Sequence, residues 1–321
     1  MTETTAQVRT APLTTPGLRV AAAAGLCLLA YSYLVGLWPS RHGSTPEVVA
    51  VVRAWVNKPS GLGEDFGYLG TALLVLVAGY AITGAAYTGT LSRVVRVAAP
   101  PLVVASALGA VLWLLGAEPL VDVAVAAPIV AVVVFTALTA GSLPLLRRYP
   151  VLAVFVLLEV ACVVALVGGW LGGDGGSAWA RVAGSAAALV PLLALGQLSW
   201  LFRADRLPAA HGVGLGLFCL ALTVPADLLF PEYAGFWRPL GGVVATLLFL
   251  IALPRGESLA AARPVRFVAD RVWPLGLAVP VVGYPVLGLL AALPFGFALP
   301  VALAATVAAA EALHRKTRWS E

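Results

Sequence analysis

A chain of 321 residues with 61% hydrophobic and only 11% charged residues cannot clothe a water-soluble body, whose composition is about one quarter charged. Lipid is the solvent that suits such a surface. The formal net charge of +5 then reads as membrane topology rather than as a nucleic-acid surface, because Lys and Arg collect in cytoplasmic loops.

In chain order, the Thr-rich stretch 1–17 reads as a flexible tail, and 18–321 as a single transmembrane domain. The apolar run that begins at Arg19 is too long for the core of a cleaved signal, and no small-residue cleavage site follows it. Crossing a bilayer as a helix takes about 20 mostly apolar residues. Runs of that kind predict spans near 18–38, 67–89, 98–117, 119–141, 150–171, 179–202, 211–230, 236–253, 272–292 and 294–313. The third and fourth are divided only by Gly-Ala-Glu-Pro at 116–119, and the last two only near Pro294. Between the first two lies the one sizeable loop, 39–66, whose stretch 46–57 (PEVVAVVRAWVN) predicts a short interfacial helix. The run GGDGG at 172–176 is a turn. The expected fold is therefore all-α: about ten transmembrane helices in one bundle, in the cell membrane.

Charge sets the orientation. With both termini in the cytoplasm, fifteen of the 20 Lys and Arg fall on the cytoplasmic side, and every cytoplasmic loop has at least two. Arg41, Arg53, Lys58, Arg181 and Arg238 make up the other side. Trp38, Trp170, Trp179, Trp237 and Trp273 stand at predicted span ends, where indoles favour the interface.

Chemistry in such a protein shows as polar residues at membrane depth. Glu159, inside LLEVACVV, is the clearest; left unpaired in lipid it costs about 2.5–3.5 kcal/mol. It reads either as a proton acceptor or substrate contact, or as a carboxyl bonded to a neighbouring helix. Arg19, at the start of the first span, is a cytoplasmic anion contact or a snorkelling, orientation-setting charge. Tyr31 and Tyr33 lie about three turns further on and either face a cavity or pack. Gln197 and Ser199 are read as links between helices, and Asp227 and Glu232 as solvated loop carboxylates. Prolines 128, 191, 225, 280, 285 and 300 predict bends within spans. His42, His211 and His314 fall outside membrane depth, and Cys27, Cys162 and Cys219 have no metal-ligand spacing, so no metal site is expected. No phosphate loop, dinucleotide fingerprint or nucleophile elbow is present, and GVGLG at 212–216 has the wrong spacing for a dinucleotide.

Several stretches together resemble the acyltransferase family 3 of membrane acyltransferases. DFGYLGTALLVLVAGYAITG (65–84) is similar to that family's second span, LSRVVRVAAPP (91–101) to its basic cytoplasmic loop, RPVRFVADRVWPLGLAVPVVGYPVLG (263–288) to its ninth span, and EALHRKTRW (311–319) to its closing segment. The resemblance implies transfer of an acyl group from cytoplasmic acyl-CoA, as co-substrate, to a hydroxyl of a sugar, lipid or natural product. It places Arg19, Arg93 and Arg96 on the donor's phosphates, a task that suits guanidinium groups. The chain departs from the family pattern where catalysis is expected: Ala30 and Tyr31 stand in the region of the first-span histidine, LAVPVVGYP replaces the ninth-span histidine, and VDVAVAAPIV (121–130) lacks the fourth-span glutamate. Two functions follow. One is a divergent O-acyltransferase in which Glu159 or Tyr31 replaces the histidine. The other is a protein on that scaffold that does not acylate, and instead binds, translocates or otherwise transforms a hydrophobic metabolite or lipid.

Overall fold

The computed structural model describes residues 15–37, 43, 45–62, 64–114, 123–173, 176–230 and 238–318. The expected 1–17 tail lies outside this set apart from its last three residues, since the first helix, α1 (Pro16–Tyr31), opens two positions earlier than expected. It runs on through a π-helical turn, Ser32–Gly36. A short helix α2 (Glu47–Val52) continues through Arg53–Asn57 to Lys58–Ser60. Then come α3 (Gly67–Tyr87), α4 (Leu91–Leu114), α5 (Val123–Gly141), α6 (Leu143–Arg148) and α7 (Pro150–Leu171). The chain goes on with α8 (Ala178–Ala187), α9 (Val190–Arg203), α10 (Ala209–Leu229), α11 (Arg238–Arg255), α12 (Glu257–Ala261) and α13 (Arg263–Asp270). It closes with α14 (Val272–Ala278), α15 (Tyr284–Leu289) and α16 (Phe295–Arg318), and no strand occurs among the described residues.

Eight helical segments are long and apolar enough to cross a membrane, and each falls on a span expected from hydropathy. The expected pair 98–117 and 119–141 corresponds to α4 and α5, which stand outside that eight; the tight hairpin between them lies outside the described residues. Proline accounts for much of the local geometry. α7 and α13 open with proline in the first turn, where no amide hydrogen is needed. The single span expected at 179–202 breaks at Ala188-Leu189, just ahead of Pro191, which cannot supply the amide that would continue the ladder. Pro280 lies within a π-helical turn, Val279–Gly283, and Pro285 just after it; the turn divides the ninth expected span into α14 and α15.

The bundle is organised on α3, which packs against α1, α4, α5, α9 and α11. Glycines bring the backbones together. A β-carbon on Gly79 would overlap the Leu193 carbonyl on α9, and one on Gly196 would overlap the Leu76 carbonyl on α3. Gly70 does the same against α1, where a β-carbon would sit 2.6 Å from the Leu29 amide nitrogen. Several hydroxyls within the spans are satisfied by their own helices: Thr83 donates to the Gly79 carbonyl at 2.7 Å, Thr246 to Gly242 at 2.7 Å and Ser199 to Leu195 at 2.8 Å. Ser199 thus bonds its own turn rather than joining two helices, which corrects the expected role.

Contacts at the helix termini sort the bundle into two ends. At one, the start of α1 meets the end of α11 (Gly17 on Ala252), Tyr87 Oη donates to the Leu146 carbonyl of α6 at 2.9 Å, and Trp273 Nε1 donates to the Ala98 carbonyl of α4 at 2.9 Å. This end holds Arg19, Arg93, Arg96, Arg147, Arg148, Arg203, Arg206, Arg255, Arg263, Arg266, Arg271 and Arg315. At the other, the end of α7 meets the start of α8 (Gly172 on Arg181), and Arg238 reaches back to α10. The described cationic residues there are Arg53, Lys58, Arg181 and Arg238.

If the α3–α9 contact sets the core, overpacking it costs about 1–3 kcal/mol. Gly79→Ala and Gly196→Ala should each lower the thermal midpoint of the detergent-solubilised protein. Gly214→Ala, with open space around it, should leave the midpoint unchanged or raise it.

Candidate functional site

The residues expected to act lie at three separate places. Arg19 is the fourth residue of α1, half-buried at the arginine-rich end. Arg93 and Arg96 lie in the first two turns of α4 and are exposed. α14 packs against both α1 and α4, and the Trp273–Ala98 bond fixes its start beside the basic turns of α4. The three arginines thus share one end of the bundle. Beside them, Glu311 on α16 accepts from Arg271 Nε at 2.6 Å and from Arg315 Nε at 3.1 Å, while the Arg271 guanidinium lies over the Phe267 ring, 4.1 Å from its centroid. Glu311 is one of four described acidic residues at this end, with Asp205, Glu257 and Asp270, and it pairs with two of the arginines. Its ion pairs tie the terminal helix to the junction of α13 and α14.

Tyr31 closes α1, twelve residues beyond Arg19 and so about 18 Å deeper along the helix. Its ring tilts against Phe66 with centroids 6.0 Å apart, and its buried hydroxyl has no hydrogen-bond partner among the described residues. Beside it the chain folds tightly: Asp65 and Phe66 both take the left-handed conformation, with φ of 61° and 55°. Arg53 holds this turn. Its Nε and Nη2 donate to the Asp65 carboxylate at 3.1 and 2.6 Å, and Nη2 also donates to the Gly36 carbonyl at 3.1 Å. Gly36 is required there, since a β-carbon would strike the Asp65 side chain.

Glu159 is elsewhere. It sits on the exposed face of α7, with no hydrogen-bond partner among the described residues. It lines no site with Tyr31: α7 packs against α6, α8, α9 and α10, whereas α1 packs against α3 and α11–α14. The two candidates to replace the histidine are therefore not brought together. Of the histidines, His211 is exposed at the start of α10, His314 lies near the end of α16, and His42 is outside the described residues. No group of three potential metal-ligating side chains occurs among the described residues.

The sequence reading missed the role of the arginines at the arginine-poor end. Arg238, counted as a loop charge, is 2% exposed; its Nη1 donates to the Ala226 carbonyl at 2.9 Å and its guanidinium lies 5.9 Å from the Tyr68 ring centroid. Asp227, read as solvated, is half-buried and accepts from the Arg238 amide at 3.4 Å. Arg181 Nε donates to the Gly172 carbonyl at 2.8 Å. Arg53, Arg181 and Arg238 thus serve the C-terminal carbonyls of α1, α7 and α10 respectively. Carbonyls in the last turn of a helix carry the negative end of its dipole, so a guanidinium suits each; the Ala226 carbonyl also accepts from the Phe230 amide at 3.1 Å, and Arg238 is its second donor. No local motif announces this, because each acceptor is a backbone oxygen 8–17 residues away.

In comparisons with known proteins the chain matches no family model, no curated protein and no solved structure.

The capping role predicts an order of stability. Arg238→Leu leaves a buried carbonyl without its charged donor and should cost about 2 kcal/mol; Arg53→Ala should cost somewhat less. Arg181→Ala, at a half-buried site, should cost under about 1 kcal/mol. Thermal unfolding of the purified variants checks the ranking.

Proposed function

We propose that this is a ten-span protein of the cell membrane with both termini in the cytoplasm, and that it is a divergent relative of the family 3 acyltransferases. The reading is supported above all by the gathering of Arg19, Arg93 and Arg96 at one arginine-rich end. In this reading that end faces the cytoplasm and takes the phosphates of acyl-CoA. Guanidinium groups form paired, charge-assisted bonds with phosphate oxygens. The acyl chain and its thioester run inward along α1. The acceptor hydroxyl of a sugar, lipid or natural product attacks the thioester carbonyl, the new C–O bond forms, the C–S bond breaks, and the hydroxyl proton leaves with the thiolate.

Catalysis here rests on positioning rather than on a strong base. In this reading Tyr31 orients the acceptor, since its hydroxyl is buried with no hydrogen-bond partner among the described residues, about 18 Å along α1 from Arg19. A neutral phenol donates or accepts one hydrogen bond; it does not replace an imidazole, and loss of a general base removes a factor of about 10²–10⁴. Glu159, facing outward, takes no part in this path.

One observation favours a second reading, in which the protein binds, translocates or otherwise transforms a lipid or hydrophobic metabolite without acylating it. Among the described residues, Tyr31 has neither imidazole nor carboxylate bonded to its hydroxyl.

Purified protein incubated with labelled acyl-CoAs and a panel of hydroxyl acceptors separates the two. The acyltransferase reading expects saturable acyl-CoA binding, weakened about tenfold or more by Arg19→Ala, and label on an acceptor. A lipid or metabolite that copurifies with the chain, together with no affinity for any acyl-CoA, would decide for the second.

A further inference from the structure

Glu159 is the tenth of 22 residues in α7, at the middle of a helix long enough to cross the membrane, and it points away from the bundle. Ionisable residues at that depth almost always face a bundle interior or a wet cavity, because hydrocarbon offers them no hydrogen bond. Its surroundings on the same face are apolar. Leu152, Val156, Val163, Leu166 and Trp170 are all exposed, and with Glu159 they recur at spacings of four and three. That spacing is the seam of a left-handed helix pair. Any single outward face repeats in this way, so the spacing alone decides nothing; the carboxyl at its centre does. A face that meets only lipid has no use for it, whereas a face that meets another helix gains a hydrogen bond and a fixed register.

We propose that this face of α7 is covered by α7 of a second copy of the chain, and that the two Glu159 carboxyls hydrogen-bond to each other through a shared proton. Two features select a second copy. Copies inserted in the same orientation pair across a two-fold axis along the membrane normal, so a parallel α7–α7 contact sets each seam residue against itself. Glu159 then meets Glu159 without any shift of register. Moreover, no Lys or Arg lies at mid-span among the described residues, so no other outward surface of this chain offers a cation to match it. The stacked Phe155 and Phe218, with ring centroids 6.3 Å apart, join α7 to α10 and widen the apolar surface beside the seam.

The experiment uses the full chain with Cys27, Cys162 and Cys219 replaced by Ala, reconstituted in phosphatidylcholine vesicles over a range of protein-to-lipid ratios. Val163→Cys on the seam should cross-link to itself under oxidant in high yield, and Leu217→Cys, outward on α10, should not. Energy transfer between donor- and acceptor-labelled copies should show Glu159→Leu weakening self-association about tenfold, and Glu159→Gln, which still pairs with itself, largely retaining it. Because the residue faces outward, both variants should keep the parent's thermal midpoint at protein-to-lipid ratios low enough for the parent to be monomeric. The proposal fails if the parent is monomeric at every ratio, if Val163→Cys and Leu217→Cys cross-link equally, or if Glu159→Leu associates as tightly as the parent.

Discussion

In lipid, two apolar helices gain little from hiding their side chains from a solvent that is just as apolar, so helix association rests on close packing of backbones. The structure meets that constraint at α3. Gly79 and Gly196 form a reciprocal contact, each helix presenting a glycine to a carbonyl of the other, and Gly70 repeats the device toward α1. Everything outside this core hangs from it: α4, α5 and α11 also pack on α3, and the helices at the periphery, such as α7 and α10, turn most of their surface outward.

With the core fixed by small residues, the charged residues are left to define the ends, and they do so in two ways. At one end arginines are numerous, mostly exposed, and balanced only in part by Asp205, Glu257, Asp270 and Glu311. At the other they are few, and three of the four described cations are spent on helix C-termini. The second group therefore says little about which leaflet it occupies. Removing it from the tally makes the asymmetry between the ends stronger than the raw count of fifteen against five, because the exceptions have a structural reason to be there.

Much of this was legible in the residues. Hydropathy and length placed α7 at 150–171 to the residue, and a division near Pro294 falls in the turn between α15 and α16. The breaks before Pro191 and at Val279–Gly283, which holds Pro280, follow from proline's missing amide hydrogen. The π-helical turn at Ser32–Gly36 has no such signal. Nor do the pairings Arg238–Ala226 and Arg53–Gly36, since a backbone acceptor leaves no trace in residue type. At the candidate site, sequence put Arg19, Arg93 and Arg96 on one side and the fold keeps them there. It could not say which way Glu159 points, because α7 is apolar on all faces and its periodicity identifies no inner one.

The layout is tested most directly by asking which end water-soluble reagents reach in intact cells. In a chain freed of its native cysteines, Ser60→Cys and Gly173→Cys lie at the arginine-poor end, and Thr90→Cys and Ala261→Cys at the arginine-rich end. A membrane-impermeant maleimide should label the first pair from outside and the second pair only after the membrane is opened. Labelling of Thr90→Cys and Ala261→Cys in unopened cells would contradict the orientation, and with it the cytoplasmic donor site.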